Sequence, residues 1–280
     1  MIDKLHLKTQ DIVNLDKLPK IDSVHNYAQV PDAQYRKCIV IRNGSKHFLT
    51  IKTLPYLNNL SPTEIQLNPS NWGSFSLIKN TLNKITNLEA LKVLRIDHAV
   101  DIERPIEATF YSLRVKHKQD CTVFNENMFK RGVLTGYYLG SKSSPELYCI
   151  YDKGFQLSSN GSCKRDKSHN LGTRTRIEVR QKKKKILLPN FLDLPKYQEI
   201  SPFNNIEWLE MNNLMENDER SQALQTLIRK DGLTNVYQQL NNHNNFKRNY
   251  KMLMSQVSFS DELTNSYWCN LGQFFGDDNG

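Results

Sequence analysis

Long apolar runs are missing from this 280-residue chain. Nothing approaches the roughly 18 consecutive apolar residues that a membrane-spanning helix requires, so no membrane partner is expected. The first residues, Met1-Ile2-Asp3-Lys4-Leu5-His6, lack the apolar core of a secretory leader, and a cytoplasmic setting is the expectation. Cysteine is sparse: Cys38, Cys121, Cys149, Cys163 and Cys269 are far apart and odd in number. There is no Cys-x-x-Cys pair and no His/Cys cluster at zinc spacing, which leaves buried or free thiols in a reducing compartment. Repeats at solenoid periods are absent as well.

What the chain does have is a core and a charge. Hydrophobic residues make up 38% and aromatic residues 10%, enough for a globular chain of one large domain or two smaller ones. The formal net charge is +9, which favours an acidic partner, most often nucleic acid. The charge is unevenly spread. Between Arg174 and Lys185 lie seven basic residues and one acid, ending in Lys182-Lys183-Lys184-Lys185. Such a run is often only a solvated strand end; here it continues a segment that already carries Arg174, Arg176 and Arg180, and contact with DNA or RNA is the preferred reading.

The patterning predicts strands and helices in mixed order. Arg36–Ile41 and His47–Ile51 flank Asn43-Gly44, a hairpin signal. Residues 54–73 are rich in Pro, Asn and Ser and read as a loop. Ile78, Leu82, Ile85 and Leu88 predict a helix over 76–91. A strand over 93–103 follows, then a helix from Pro105 to about Lys118, and strands over 133–139, 146–153 and 173–182. Residues 155–172 are polar and Ser/Gly/Asn-rich and read as a mobile loop. Beyond residue 190 the signals turn helical, over 207–216, 218–229, 233–240, 247–256 and 260–274, with 241–245 an Asn-rich patch. The expected fold is therefore α+β: a central antiparallel sheet with helices packed on one face in residues 1–188, and a mainly helical segment in 189–280 for DNA binding or a dimer contact.

Three blocks place chemistry on predicted strands. Side chains alternate between the faces of a strand. In Arg95-Ile96-Asp97-His98-Ala99-Val100-Asp101, the residues Arg95, Asp97 and Asp101 share one face. In Arg174-Thr175-Arg176-Ile177-Glu178-Val179-Arg180, the four charged residues share one face and Ile177 and Val179 the other. Asp97, Asp101 and Glu178 are hard oxygen donors of the kind that hold magnesium or manganese against a phosphodiester. They serve equally well as ion-pair partners of Arg95 and Arg176, and spacing leaves both readings open. Tyr137, Tyr138, Tyr148 and Tyr151 lie nearby. A phenol can attack phosphorus once a neighbouring group activates it, because its ordinary pKa is near 10; most tyrosines simply pack with a wet tip. In the block Tyr148-Cys149-Ile150-Tyr151-Asp152-Lys153, alternation sets Cys149, Tyr151 and Lys153 against Tyr148, Ile150 and Asp152, without saying which set meets DNA.

Leu134-Thr135-Gly136-Tyr137-Tyr138-Leu139-Gly140-Ser141-Lys142-Ser143-Ser144, then Ile150-Tyr151-Asp152-Lys153, then Arg174 to Arg180, with Arg95 to Asp101 upstream, together resemble the replication initiation factor family. Its members are trans-acting rolling-circle initiators of small plasmids and some phages. The resemblance covers about residues 90–185. It implies an enzyme whose tyrosine nicks one origin strand, stays joined to the 5′ phosphate and frees a 3′ hydroxyl primer. By position, Tyr151 is the implied nucleophile, with Tyr138 or Tyr137 as the alternative. Asp97, Glu178 and Asp101 would hold Mg2+ or Mn2+. Lys153 would assist the chemistry, and Arg95, Arg174, Arg176, Arg180, Lys182 and Lys183 would contact DNA. The implied partners are origin DNA, as a hairpin or single-stranded nick site, a host helicase, and a second copy in a homodimer. The His-hydrophobic-His motif of the other large rolling-circle class is absent, so His98 is not half of such a pair. Two other readings share these residues: a relaxase of a mobile element, with the same chemistry, and a DNA-binding repressor with none.

Overall fold

Short runs in which buried and half-exposed residues alternate set the architecture. In the computed structural model, the residues described are 1–11, 13, 15, 26–43, 46–72, 74–118, 120–126, 133–159, 173–188, 201–209, 219–240 and 259–275. The strands β1 (Ile2–Thr9), β2 (Asn26–Gln29), β3 (Tyr35–Asn43), β4 (Lys46–Pro55), β5 (Thr63–Leu67), β6 (Lys92–Ile102), β8 (Cys121–Glu126), β9 (Val133–Leu139), β10 (Glu146–Asp152) and β11 (Thr175–Leu187) form one ten-stranded sheet. Its order is β2-β3-β4-β5-β1-β6-β11-β10-β9-β8. Two further short strands, β7 (Leu113–Val115) and β12 (Ile206–Trp208), pair with each other. Six α-helices are described: α1 (Phe75–Ile85), α2 (Ile106–Ser112), α3 (Lys153–Ser159), α4 (Glu219–Asp231), α5 (Leu233–Leu240) and α6 (Phe259–Phe275). The fold is α+β on a large antiparallel sheet, as expected. Among the described residues no helix is long and apolar enough to cross a membrane.

The chain divides into two compact units. One comprises Met1–Ala99, Arg180–Ser201 and Tyr267–Gly280; the other comprises Val100–Val179 and Pro202–Ser266. This division runs through β6, β11 and α6. The expected domain boundary at 188/189 abuts residues 189–200, which lie outside the described ones.

In the first unit, Leu5 and Leu7 of β1, Leu49 and Ile51 of β4, and Ile65 and Leu67 of β5 are buried. Register aligns them in cross-strand rows, Leu5 beside Leu67 beside Leu49 and Leu7 beside Ile65 beside Ile51. Phe75, Ile78, Leu82 and Ile85 are the buried stripe of α1, whose first turn is capped by the Ser74 hydroxyl accepting from Leu77 N–H. His98 lies in this interior too, its Nδ1 2.6 Å from the hydroxyl of Tyr267.

In the second unit, Leu209, Ile228, Leu233 and Val236 form a buried cluster with Tyr111 and Tyr237 against it. Arg114 lies over the Tyr237 ring at 3.4 Å and donates to Glu207 at 2.6 Å, which holds β7 beside β12.

Several elements depart from the sequence expectation. β5 runs through the stretch read as a loop; its Thr63, Ile65 and Leu67 alternate correctly, but Pro62 and Pro69 on either side mask a five-residue strand. β1, β2 and β8 were not expected. The second helix stops at Ser112 and not near Lys118, because Leu113–Val115 pairs instead with Ile206–Trp208. The same pairing makes 206–208 a strand where a helix was expected from 207. Residues 153–159 are helical and not loop: the Asp152 carboxylate accepts the Phe155 N–H at 3.0 Å and caps a helix start. Residues 210–216 of the helix expected over 207–216, and the whole of the helix expected over 247–256, lie outside the described residues.

Gly232, between α4 and α5, has φ +78, and a Cβ there would meet the Phe110 ring at 2.4 Å. Both the left-handed backbone and the close approach require glycine. Gly232→Ala is therefore expected to lower the stability of the chain by about 2 kcal/mol, measured as a fall in the urea midpoint at unchanged slope.

Candidate active site

In the second unit the phenol and the acid of interest come from strand alternation, while Lys153 opens α3 and Arg174 precedes β11. β10 and β11 each expose one row of side chains to the same small set of neighbours. On β10, Leu147 to Ile150 are buried, Tyr148, Cys149 and Ile150 completely, so Cys149 packs as a small hydrophobe. Tyr151 is only half-buried, and its hydroxyl donates to Oε2 of Glu178 on β11 at 3.1 Å. Glu178 itself is 1% exposed. The face of β10 that carries Tyr151 is thus the face of β11 that carries the arginines and the acid, a point alternation alone had left open.

Gly136 makes room for that tyrosine. It lies directly across from Tyr151 in the β9–β10 register. A Cβ at 136 would sit 2.9 Å from the Ile150 carbonyl oxygen and 3.0 Å from Cβ of Tyr151. The sequence offered a signal for this residue, a glycine inside a strand, which marks close approach of another backbone or side chain; its role was not read from it.

Beside the tyrosine–glutamate pair is a second one. Arg176 donates from Nε to Oδ1 of Asp101 at 2.5 Å and from Nη2 to Oδ2 at 2.9 Å, a two-pronged guanidinium–carboxylate contact. Arg174 reaches Oδ2 of Asp101 at 3.5 Å while its own side chain is 59% exposed. Burial by itself would raise the Asp101 carboxyl. The hydrogen bond and charge of Arg176, with the charges of Arg174 and Lys153, outweigh burial and hold it below its ordinary value. Lys153 lies 6.0 Å from the centre of the Tyr151 ring and donates to Gln156 Oε1 at 2.9 Å. Thr175 donates to the Arg104 carbonyl at 2.7 Å and pins the start of β11.

The other tyrosines take different places. Tyr137 is 1% exposed, its ring edge-on to Phe110 at 5.1 Å, and burial pushes its hydroxyl well above the usual range. Tyr148 is buried and its phenol is likewise raised, first by burial and then by Glu146. Tyr138 is half-buried against Phe124 at 4.6 Å. Tyr151 has its hydroxyl on a buried carboxylate of β11.

Asp97, Arg95 and Arg180 belong to the first unit. Asp97 is wholly buried; Arg95 donates to its Oδ1 at 2.6 Å and its Oδ2 at 2.5 Å, and Arg180 Nε stands 4.0 Å away. Lys182 is exposed, and the side chain of Lys183 is outside the described residues. Among the described residues, no three His, Cys, Asp or Glu side chains gather into a group that could hold a metal ion. Both oxygens of Asp97 and of Asp101 are taken by guanidinium groups. As arranged, these acids are ion-pair partners and do not fit a Mg2+ or Mn2+ cage.

The Asp101–Arg176 pair makes stability pH-dependent. A carboxyl held low in the folded chain contributes at pH values above its ordinary 3.8, and the contribution is lost as pH falls through the folded-state value. Asp101→Asn, which takes the carboxylate charge away from the buried Arg176, is expected to cost roughly 3 kcal/mol at neutral pH. In urea titrations at several pH values, the gap between wild type and variant is expected to narrow steadily below pH 4.

No family model matches the chain, and no curated protein does. Among solved structures the chain is similar to the rolling circle replication initiator protein from Geobacillus stearothermophilus, with 12% identity and a TM-score of 0.46, covering 79% of this chain and 89% of that one. At that identity and score the likeness carries no functional weight, and the reading below rests on this chain's own residues.

Proposed function

We propose that the chain is a DNA nicking and strand-transfer enzyme of the rolling-circle initiator kind, with Tyr151 as its nucleophile. The observation that carries this reading is the hydrogen bond from the Tyr151 hydroxyl to a buried glutamate, Glu178. Both residues sit in the blocks whose order and spacing resemble the replication initiation factor family. The buried carboxylate gives the phenol a proton acceptor at hydrogen-bond distance.

In the proposed step, the Tyr151 oxygen bonds to the phosphorus of one origin phosphodiester while its proton passes to Glu178. The bond from phosphorus to the 3′ oxygen breaks, and that oxygen leaves as a 3′ hydroxyl after taking up a proton. The 5′ phosphate stays on Tyr151. Arg174, exposed and only loosely held by Asp101, is the cation best able to turn to the phosphate. Lys153 adds positive charge beside the phenol. Arg176 is a positioning residue, fixed on Asp101. The substrate is proposed to be an origin strand melted or extruded as a hairpin, so that a single phosphodiester can reach the half-buried tyrosine. A helicase that continues unwinding, and a second copy of the chain, belong to the same proposal. No step is routed through a metal ion; Mg2+ or Mn2+ enters as a variable of the assay.

The test is nicking of supercoiled DNA carrying the candidate origin, with Mg2+, with Mn2+ and with chelator. Tyr151→Phe is expected to abolish the covalent 5′ adduct, and Tyr138→Phe to retain it. Glu178→Gln is expected to slow nicking by about 10²–10⁴-fold. A 5′ adduct that still forms in Tyr151→Phe overturns the assignment.

A further inference from the structure

The polar face of the first unit is more basic than its stability alone would favour. Lys4, His6 and Lys8 of β1 are half-exposed on one face, spaced roughly 7 Å apart as alternate residues of a strand. Register puts the cations Lys92 and Arg95 beside them. Lys8 lies across from Lys92, His6 across from Arg95, and Lys4 across from Asp97. On the other side Lys8 faces Glu64, which in turn faces Lys52 of β4, and His6 faces Gln66. Like charges directly opposed across strands destabilise a sheet, and the pair Lys8/Lys92 is such a case. The acids present do not cancel this row. Asp97 is taken up by Arg95, Asp32 by Lys52 at 2.7 Å, and Glu64 lies between two lysines.

We infer that this cationic ladder on β1, with its neighbours on β4 and β6, seats the phosphate backbone of a single DNA strand. A polyanion of regular spacing offsets the repulsion that the row costs the folded chain, and the occupant follows from that charge complementarity. The ladder residues include no Phe, Tyr or Trp on which successive bases could stack. The contact is to phosphates and is indifferent to sequence. His6 reports on the surface. It faces Lys4 on its own strand, Arg95 of β6, Gln66 of β5, Lys52 of β4 and Arg180 of β11. Burial first, then Arg95, Lys4, Arg180 and Lys52, lower its pKa to about 4. Phosphates laid on the ladder would reverse the electrostatic part of that shift. The inference does not depend on the tyrosine chemistry: a chain that binds but never cuts would keep it.

The experiment uses the full chain carrying Tyr151→Phe and a fluorescent mixed-sequence 20-nucleotide single strand, with binding followed by anisotropy across a salt series. Adding Lys4→Gln and Lys8→Gln together is expected to weaken binding about tenfold at 0.1 M salt. It is also expected to reduce the slope of log K against log salt by about 1.4, two single-strand phosphate contacts. Independently of those variants, the His6 ring protons, assigned with His6→Gln, are expected to titrate roughly one unit higher when the oligonucleotide is saturating. Unchanged affinity and slope with an unmoved His6 overturn the inference. So does equal displacement of the oligonucleotide by polyglutamate of matched charge, which would make the face a site for acidic protein, or by anionic lipid vesicles, which would make it a membrane contact. A nicking defect in the tyrosine assay leaves these measurements unaffected, so the two readings fail separately.

Discussion

A carboxylate buried in a sheet has to be matched by a cation or a donor, and the chemistry of this chain is arranged around how that demand is met. Three acids on two strands meet it in two ways. Asp97 and Asp101 are each gripped by a guanidinium on both oxygens. Glu178 has a phenol among its donors, the Tyr151 hydroxyl at 3.1 Å. An uncompensated charge at any of these positions would cost several kcal/mol, so each acid's partner is as much a part of the fold as a core leucine. The difference between the partners is what separates a structural pair from a candidate catalytic one. A guanidinium cannot give up its proton at ordinary pH, and a phenol can.

The surrounding packing keeps Tyr151 in reach of Glu178. Gly136 across the strand leaves its side chain the space it needs, Asp152 next to it caps α3, and Thr175 ties down the first residue of β11. Asp152 and Thr175 lie inside the family-like blocks, yet both have structural work to do. A motif read as chemistry therefore mixes residues that act on a substrate with residues that hold the actors still. Arg176 falls in the second group, because its two-pronged grip on Asp101 leaves it poorly placed to turn toward a phosphate, whereas the exposed Arg174 is held by one contact at 3.5 Å.

The first unit uses the same sheet logic without a nucleophile. Its apolar rows, such as Leu5 beside Leu67 and Leu49, build the core, while the opposite rows carry charged residues, among them Lys8 facing Lys92. One strand period thus supplies both a hydrophobic interior and a charged surface, and the two cannot be shifted independently: a one-residue slip of β1 would bury Lys4, Lys8 and His6 together.

The sequence by itself determined a good deal. Alternation in 95–101 and 174–180 named the charged faces of β6 and β11, the Asn-Gly pair marked the β3–β4 hairpin, and the α+β class followed from the mixed periodicities, because these signals are local and repeat along the chain. It also singled out Tyr151, by resemblance. Tertiary structure alone decided the rest. That Leu113–Val115 leaves a helix to pair with Ile206–Trp208, that β5 is a strand between prolines, and that Tyr151 and not Tyr137 turns its hydroxyl toward Glu178 all depend on partners far away in the chain. Whether a carboxylate meets an arginine, a phenol or a metal is decided by which strand lies beside it and in what register, and no spacing along one strand contains that information.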